Sequence, residues 1–248
     1  MIKIKCLIVL LAMFSSASVF SQDGEYVTVR DLESWGSLNF KYKVSKKWSI
    51  GLEQQFRFGN NSTQINDYIT ELSTTYAFSK HIFGGVGFRY IGQPDRVGAN
   101  QDFEHYFRFN IDFGVKHDIK RFNLKYRLRY QLKDEIGVSK EDGDYANNHL
   151  RLKVGAGYNI KKWKLDPEIS AEIFNHFEKG EQNGFNKFRF TIGTQYKTKS
   201  WGKMGLFYRI EQELMGPYPI TIHILGLKYT YTLKGKYKED KKEDIKWF

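Results

Sequence analysis

Apolar and polar residues alternate one by one along most of this chain. Between residues 36 and 44, Gly36, Leu38, Phe40, Tyr42 and Val44 fall on one face, and Ser37, Asn39, Lys41 and Lys43 on the other. Residues 48–58 set Trp48, Ile50, Leu52, Phe56 and Phe58 against Ser49, Gly51, Glu53, Gln55 and Arg57. In 121–133 every even position is Phe, Leu or Tyr, and every odd one is Arg, Asn, Lys or Gln. Period two means strands, because successive side chains on an extended backbone point to opposite faces. Similar segments lie at 67–78, 82–91, 103–116, 148–159, 163–177, 186–197, 202–213 and 221–233. That predicts eleven strands and no helix, each about as long as a tilted strand needs to cross a bilayer, roughly nine to eleven residues or slightly more.

The connections alternate as well. Five are short, basic and closed by an aromatic residue: 45–48, 79–83, 119–122, 160–163 and 198–201. Their aromatics are Trp48, Phe83, Phe122, Trp163 and Trp201, a repeat of 35 to 41 residues. The other five, 59–66, 92–101, 134–147, 178–184 and 214–219, are more polar. Short turns at one end and longer loops at the other predict an up-and-down transmembrane barrel with periplasmic short turns. The five aromatics are then expected at headgroup depth, with the neighbouring lysines reaching phosphates. Even strand numbers are the rule for bacterial single-chain barrels. A twelfth strand is therefore expected at Tyr26–Leu32, the alternative being ten strands with one segment outside the wall.

Composition decides which face is inside. Of the 248 residues, 41% are hydrophobic, 27% charged and 17% aromatic. The 20 Phe, 16 Tyr and 5 Trp exclude a disordered chain. A small closed barrel cannot hold so many rings in its lumen, so the apolar face is expected to meet lipid. The lumen is then lined by Glu53, Arg57, Glu71, Arg89, Glu104, Arg108, Asp112, Arg127, Arg129, Lys153, Glu168, Glu172, Arg189, Arg209 and Glu211. Such charges should pair with one another, because a lone desolvated charge is costly. Folding each hairpin about its turn puts Glu71 opposite Arg89, Asp112 opposite Lys125 and Glu104 opposite Lys133. The same construction puts Lys153 opposite Glu168, His149 opposite Glu172, Arg189 opposite Glu211 and Lys187 opposite Glu213. This many long charged side chains should leave a narrow or sealed lumen.

The ends carry targeting signals. Lys3 and Lys5, the apolar run 6–14 and the small residues 15–21 read as a secretory signal peptide, 1–21, cleaved before Gln22. Its loss takes the formal charge from +11 to +9 and removes Cys6, the single cysteine. The barrel then occupies 22–233, followed by a charged periplasmic tail, 234–248. In the last strand Gly226, Tyr229 and Tyr231 match a Gly-x-x-aromatic-x-aromatic insertion signal, which makes the barrel-insertion machinery and outer-membrane lipids the expected partners. The positive charge sits in turns or opposite lumen acids, so nucleic acid is not expected as a partner.

The search for chemistry finds no P-loop, GxGxxG, HExxH or EF-hand motif, and no cofactor or metal is expected. Gly84, Gly85 and Gly87 interrupt a strand, which suits relief of crowding in a barrel wall. The acidic loop 134–144 reads as a solvated surface, and His149 and His176 as polar lining. The alternative to a non-enzymatic barrel is a lipid hydrolase or acyltransferase using Ser34 and His223 on the lipid face, although no acidic orienter accompanies them.

Residues 35–58, 119–133, 160–174 and 205–231 together resemble the bacterial family catalogued as domain of unknown function 2490. The resemblance covers nearly all of the chain after the signal peptide. It implies a Gram-negative outer-membrane β-barrel, and it brings no established activity or catalytic residues.

Overall fold

A computed structural model describes residues 29–95, 102–138, 141, 146–161, 163–179, 183–198 and 202–235. The signal peptide and its cut before Gln22, Trp201, residues 142–144 of the acidic loop and the tail from 236 onward lie outside the described residues. The described chain is all-β, with eleven strands: β1 (Val29–Lys43), β2 (Trp48–Gly59), β3 (Gln64–Ala77), β4 (Ile82–Pro94), β5 (Phe103–Ile119), β6 (Phe122–Glu135), β7 (Asn147–Tyr158), β8 (Leu165–Phe177), β9 (Gly184–Lys197), β10 (Lys203–Glu213) and β11 (Ile220–Lys234). Each strand pairs antiparallel with the next, and β1 closes the barrel on β11. Among the described residues no helix is long and apolar enough to cross a membrane, a criterion that does not bear on strands.

The strand count corrects the expectation of twelve, and also the alternative of ten. Val29 to Leu32, half of the expected additional strand, continue directly into β1. β1 then bonds β11 along its whole length, from Val29 opposite Ile220 to Lys43 opposite Lys234, so no strand intervenes at the seam. An up-and-down barrel with an odd count must close on strands that run the same way, and this pair is parallel. β1 therefore starts at the long-loop end, and β11 finishes at the short-turn end.

Hairpin registers follow the turns. Glu71 lies opposite Arg89, Arg189 opposite Glu211 and Lys187 opposite Glu213, as the pattern predicts. Two other hairpins differ by four residues. Asp112 faces Arg129 rather than Lys125, and Lys133 faces Arg108 rather than Glu104. Lys153 faces Glu172 rather than Glu168, and His149 faces His176 rather than Glu172. The cause is strand length at the turn. β5 runs on to Ile119 and turns over Lys120 and Arg121 alone, with Lys120 at φ 56°. β7 and β8 are joined by the wider 159–164 turn, where Trp163 N–H donates to the Ile160 carbonyl at 3.1 Å. An even slip moves partners but keeps every side chain on its face.

The 59–66 connection is shorter than expected, because β3 starts at Gln64. Asn60, Asn61 and Ser62 reverse the chain with φ of 50°, 54° and 63°. Asn tolerates this left-handed region better than most residues. Asp31 of β1 holds the turn by accepting the backbone N–H groups of Asn60 (3.0 Å) and Asn61 (2.7 Å).

Burial is inverted relative to a water-soluble domain. Six apolar side chains are buried among the described residues, against fifteen polar or charged ones. Apolar residues fill the outward face, where Leu38, Leu72, Phe113, Leu206 and Leu227 are each more than half exposed. Soluble folds bury Leu, Ile and Phe and keep Arg and Glu outside.

Candidate functional site

The barrel interior carries the chemistry. Around mid-height, side chains from nine strands, β2 to β10, meet in a belt of ion pairs. Glu172 of β8 accepts Arg127 Nη2 at 2.8 Å and Arg151 Nη2 at 2.9 Å, and lies 3.4 Å from Arg189 Nη1. Arg189 also reaches Glu211 at 2.5 Å. Asp112 takes Arg129 in a two-pronged bond at 2.6 and 2.7 Å, the geometry that best matches a guanidinium to a carboxylate. Glu71 pairs Arg89 at 2.5 Å and Arg108 at 3.7 Å, and Asp67 pairs Arg57 at 3.0 Å. Alternation brings these groups together, since each stands on the inward face of its strand.

Aromatic rings are interleaved with the arginines. The Arg57 guanidinium lies 3.8 Å from the Trp35 ring centre, and Arg209 lies 4.9 Å from it. Arg151 stands 4.2 Å from the Phe174 ring. Trp35 Nε1 donates to Glu33 at 2.6 Å, which satisfies the buried indole. Stacking on ring faces suits a weakly hydrated planar cation and lets it be buried. Ile69, Ile91 and Ile224, all nearly inaccessible, fill the interior alongside.

Below the belt, toward the short turns, the lumen opens into a cavity of about 650 Å³. Its wall is built from small residues, including Gly51, Ser73, Gly155, Ser170, Gly193 and Gly205. Lys41, Lys125, Lys153 and Lys203 project into this region, and Arg127, Arg209 and Phe207 line it at the belt.

All fifteen residues read from the sequence as lumen lining stand on the inward face. Glu53 and Lys228 are 3.6 Å apart near the cavity, Glu168 accepts Gln195 Nε2 on its wall, and Glu104 accepts the Tyr106 hydroxyl at 2.6 Å toward the long-loop end. The pattern missed Arg151 and Asp67, although both share the inward parity of Lys153 and Glu71. It also missed the inward Trp35, Phe174 and Phe207, because an apolar residue on a polar face gives no alternation to read.

Of the five aromatics expected at the membrane interface, Trp48, Phe122 and Trp163 point outward and are exposed. Phe83 is a correction. Trp48 and Phe122 are the first residues of their strands, whereas Phe83 is the second residue of β4, so Ile82 takes the outward position and Phe83 turns in. It lies across Gly114 of β5, where a Cβ would strike the ring, with Lys125 Nζ 5.2 Å from its centre. Gly87 has a related role, since a Cβ there would come within 2.8 Å of the Asn110 side chain.

Ser34 and His223 lie on adjacent strands at the seam, two rungs apart on the outward face. Each is engaged elsewhere. Ser34 Oγ donates to Ser62 Oγ at 2.8 Å, and His223 Nδ1 is hydrogen-bonded to the Tyr208 hydroxyl at 2.6 Å. An equivalent outward pair joins Tyr90 to His105 at 2.7 Å, and Tyr130 donates to Asn148 at 2.7 Å. The His149 and His176 rings lie 4.9 Å apart, tilted by 33°, inside the barrel near the long-loop end.

An all-β closed barrel with an inverted interior is thus the class of protein that fold and site define. The family described as Protein of unknown function (DUF2490) matches residues 32–214, and the chain belongs to it. A comparison with curated proteins finds no match.

Proposed function

We propose that this protein is a non-catalytic outer-membrane β-barrel whose lumen is sealed at mid-height rather than open as a wide channel. The observation that carries the reading is the inverted burial: a continuous apolar outer face around an interior of paired charges. In lipid every outward polar group needs a partner, and the Tyr90–His105, Tyr208–His223 and Tyr130–Asn148 pairs meet that need on the outer face. The signal peptide ending before Gln22, the short turns on the periplasmic side and the Gly226, Tyr229, Tyr231 signature for the insertion machinery belong to the same reading. Sealing is supported by the belt, in which Glu172, Glu211, Asp112 and Glu71 hold arginines of nearby strands over the inner face in a buried ring of charge. The engagement of Ser34 with Ser62 and of His223 with Tyr208 favours a structural role for both over lipid hydrolysis.

Two measurements test this. Cell fractionation should place the protein with outer membranes, and recovery of a folded, detergent-free soluble species would refute the membrane reading. Planar-bilayer recordings on the purified barrel should give little or no conductance, and a wide, stable open pore would refute sealing.

A further inference from the structure

We propose that the cavity below the belt is a binding site for a small, soluble, phosphate-bearing anion that enters from the short-turn end. The inference goes beyond sealing and does not depend on where in the cell the barrel resides. The cavity, about 650 Å³, falls within the range that takes a whole small molecule. Nine cationic side chains line it, against two acidic ones, Asp166 and Glu168. Glu53 pairs Lys228 beside the cavity, and the belt above does not offset the rest of this surplus. Glu172, which lies directly across from Lys153, is already surrounded by Arg127, Arg151 and Arg189. Arg127, at the cavity ceiling, keeps an Nε–H with no hydrogen-bond partner among the described residues.

The chemistry of the wall selects the ligand class. Lysines act as compact point charges for phosphate, and the hydroxyls of Thr75 and Ser170 can donate to its remaining oxygens. A concave wall with so large an excess of one sign, backed by low-dielectric protein, concentrates the field on whatever enters. Glycine and serine at the wall give the room that longer residues occupy at belt height. The headgroup of a lipid carries the same phosphate, but its acyl chains would have to lie among the ammonium groups, so a soluble anion fits better.

The test is calorimetric titration of the full-length protein, folded in nonionic detergent at low ionic strength, with sodium pyrophosphate. Saturable binding at one site is expected. Lys125→Gln and Lys153→Gln should each weaken it at least tenfold, whereas Lys80→Gln, in a short turn outside the cavity, should leave it unchanged. Absence of saturable binding, or equal binding in all four proteins, overturns the proposal. Glycerol phosphate should displace pyrophosphate at a lower concentration than lysophosphatidylglycerol does, and the reverse order overturns the soluble source in favour of a lipid headgroup. Should the variants fail to fold, acylation of lysines in the wild-type protein tests the same site. Pyrophosphate should protect Lys125 and Lys153 from the reagent and leave Lys80 reactive, and equal labelling with and without it overturns the site.

Discussion

Replacing Glu172 by Gln is the sharpest probe of the belt. The carboxylate side chain is 2% exposed and has three guanidiniums within 3.4 Å. Removing one partner of a buried ion pair costs about 3–5 kcal/mol, because the other charge is left uncompensated. Glutamine keeps the shape and one acceptor oxygen, so the lower end, about 3 kcal/mol, applies. Glu53→Gln is the internal control. Its partner Lys228 is 3.6 Å away and 46% exposed, and such pairs contribute only about 0–1 kcal/mol. The chemical change is the same in both variants, and what differs is the burial of the site. Urea titration of the barrel in lipid vesicles, followed by tryptophan fluorescence and by gel mobility of unheated samples, measures both. The expected gap of about 2–3 kcal/mol corresponds to roughly a thirty- to more than hundredfold difference in folded-to-unfolded ratio. If Glu172→Gln costs no more than Glu53→Gln, the belt is solvated, and the lumen is a water-filled passage rather than a sealed one.

Two further outcomes follow from the same structure. Leu128, in the middle of β6, faces outward and is 43% exposed, so Leu128→Arg should reduce stability in bilayers by about 2–4 kcal/mol, whereas in nonionic detergent solution the loss should shrink; an unchanged stability in bilayers would mean that this face does not meet lipid. Gly226→Leu should destabilise by about 1–3 kcal/mol or more, since even a Cβ there strikes the Phe207 ring; the companion double variant Gly226→Leu, Phe207→Ala should recover part of the loss, and simple additivity of the two losses would show that the contact is not what matters.

Most of the wall is legible in the sequence because period two is a strong and local signal. Each strand's bounds agree with the alternating segments to within a few residues, apart from β1, which starts at Val29. Faces are legible for the same reason, and they hold even in the two hairpins whose register differs from expectation. Register itself depends on where a turn ends, and turn geometry is a matter of φ at residues such as Lys120 that no hydrophobic pattern records. Phe83 shows the limit from the other side. Its turn resembles those at Trp48 and Phe122 in composition, but one extra residue before the aromatic reverses its face. The belt is legible as a set of charges, yet its connectivity is not. Glu172 draws on Arg127, Arg151 and Arg189 from three different strands, and only the registers of β6 to β9 bring them together.

The odd strand count changes the meaning of the last strand. Gly226 reads in sequence as one position of an insertion signature, a property of a strand end awaiting a partner. In the closed barrel it stands between Phe207 of β10 and Trp35 of β1, its direct neighbours on either side. With no side chain of its own, it lets the Phe207 ring lie over the backbone on the inner face of the seam. Arg209 then covers both rings, 4.7 Å from Phe207 and 4.9 Å from Trp35. A parallel ladder is slightly weaker per residue than an antiparallel one, so the seam is where packing across the join matters most. The same device recurs at Phe83, Gly114 and Lys125, where an aromatic crosses a glycine of the adjacent strand and a cation approaches the ring. Aromatic-over-glycine contacts of this kind fix register between neighbouring strands, because a slip of even two residues would drive the ring into a side chain. At the seam that constraint joins the two ends of the sheet, so the glycine that the insertion pattern picks out is also the residue that sets how β11 meets its final partner.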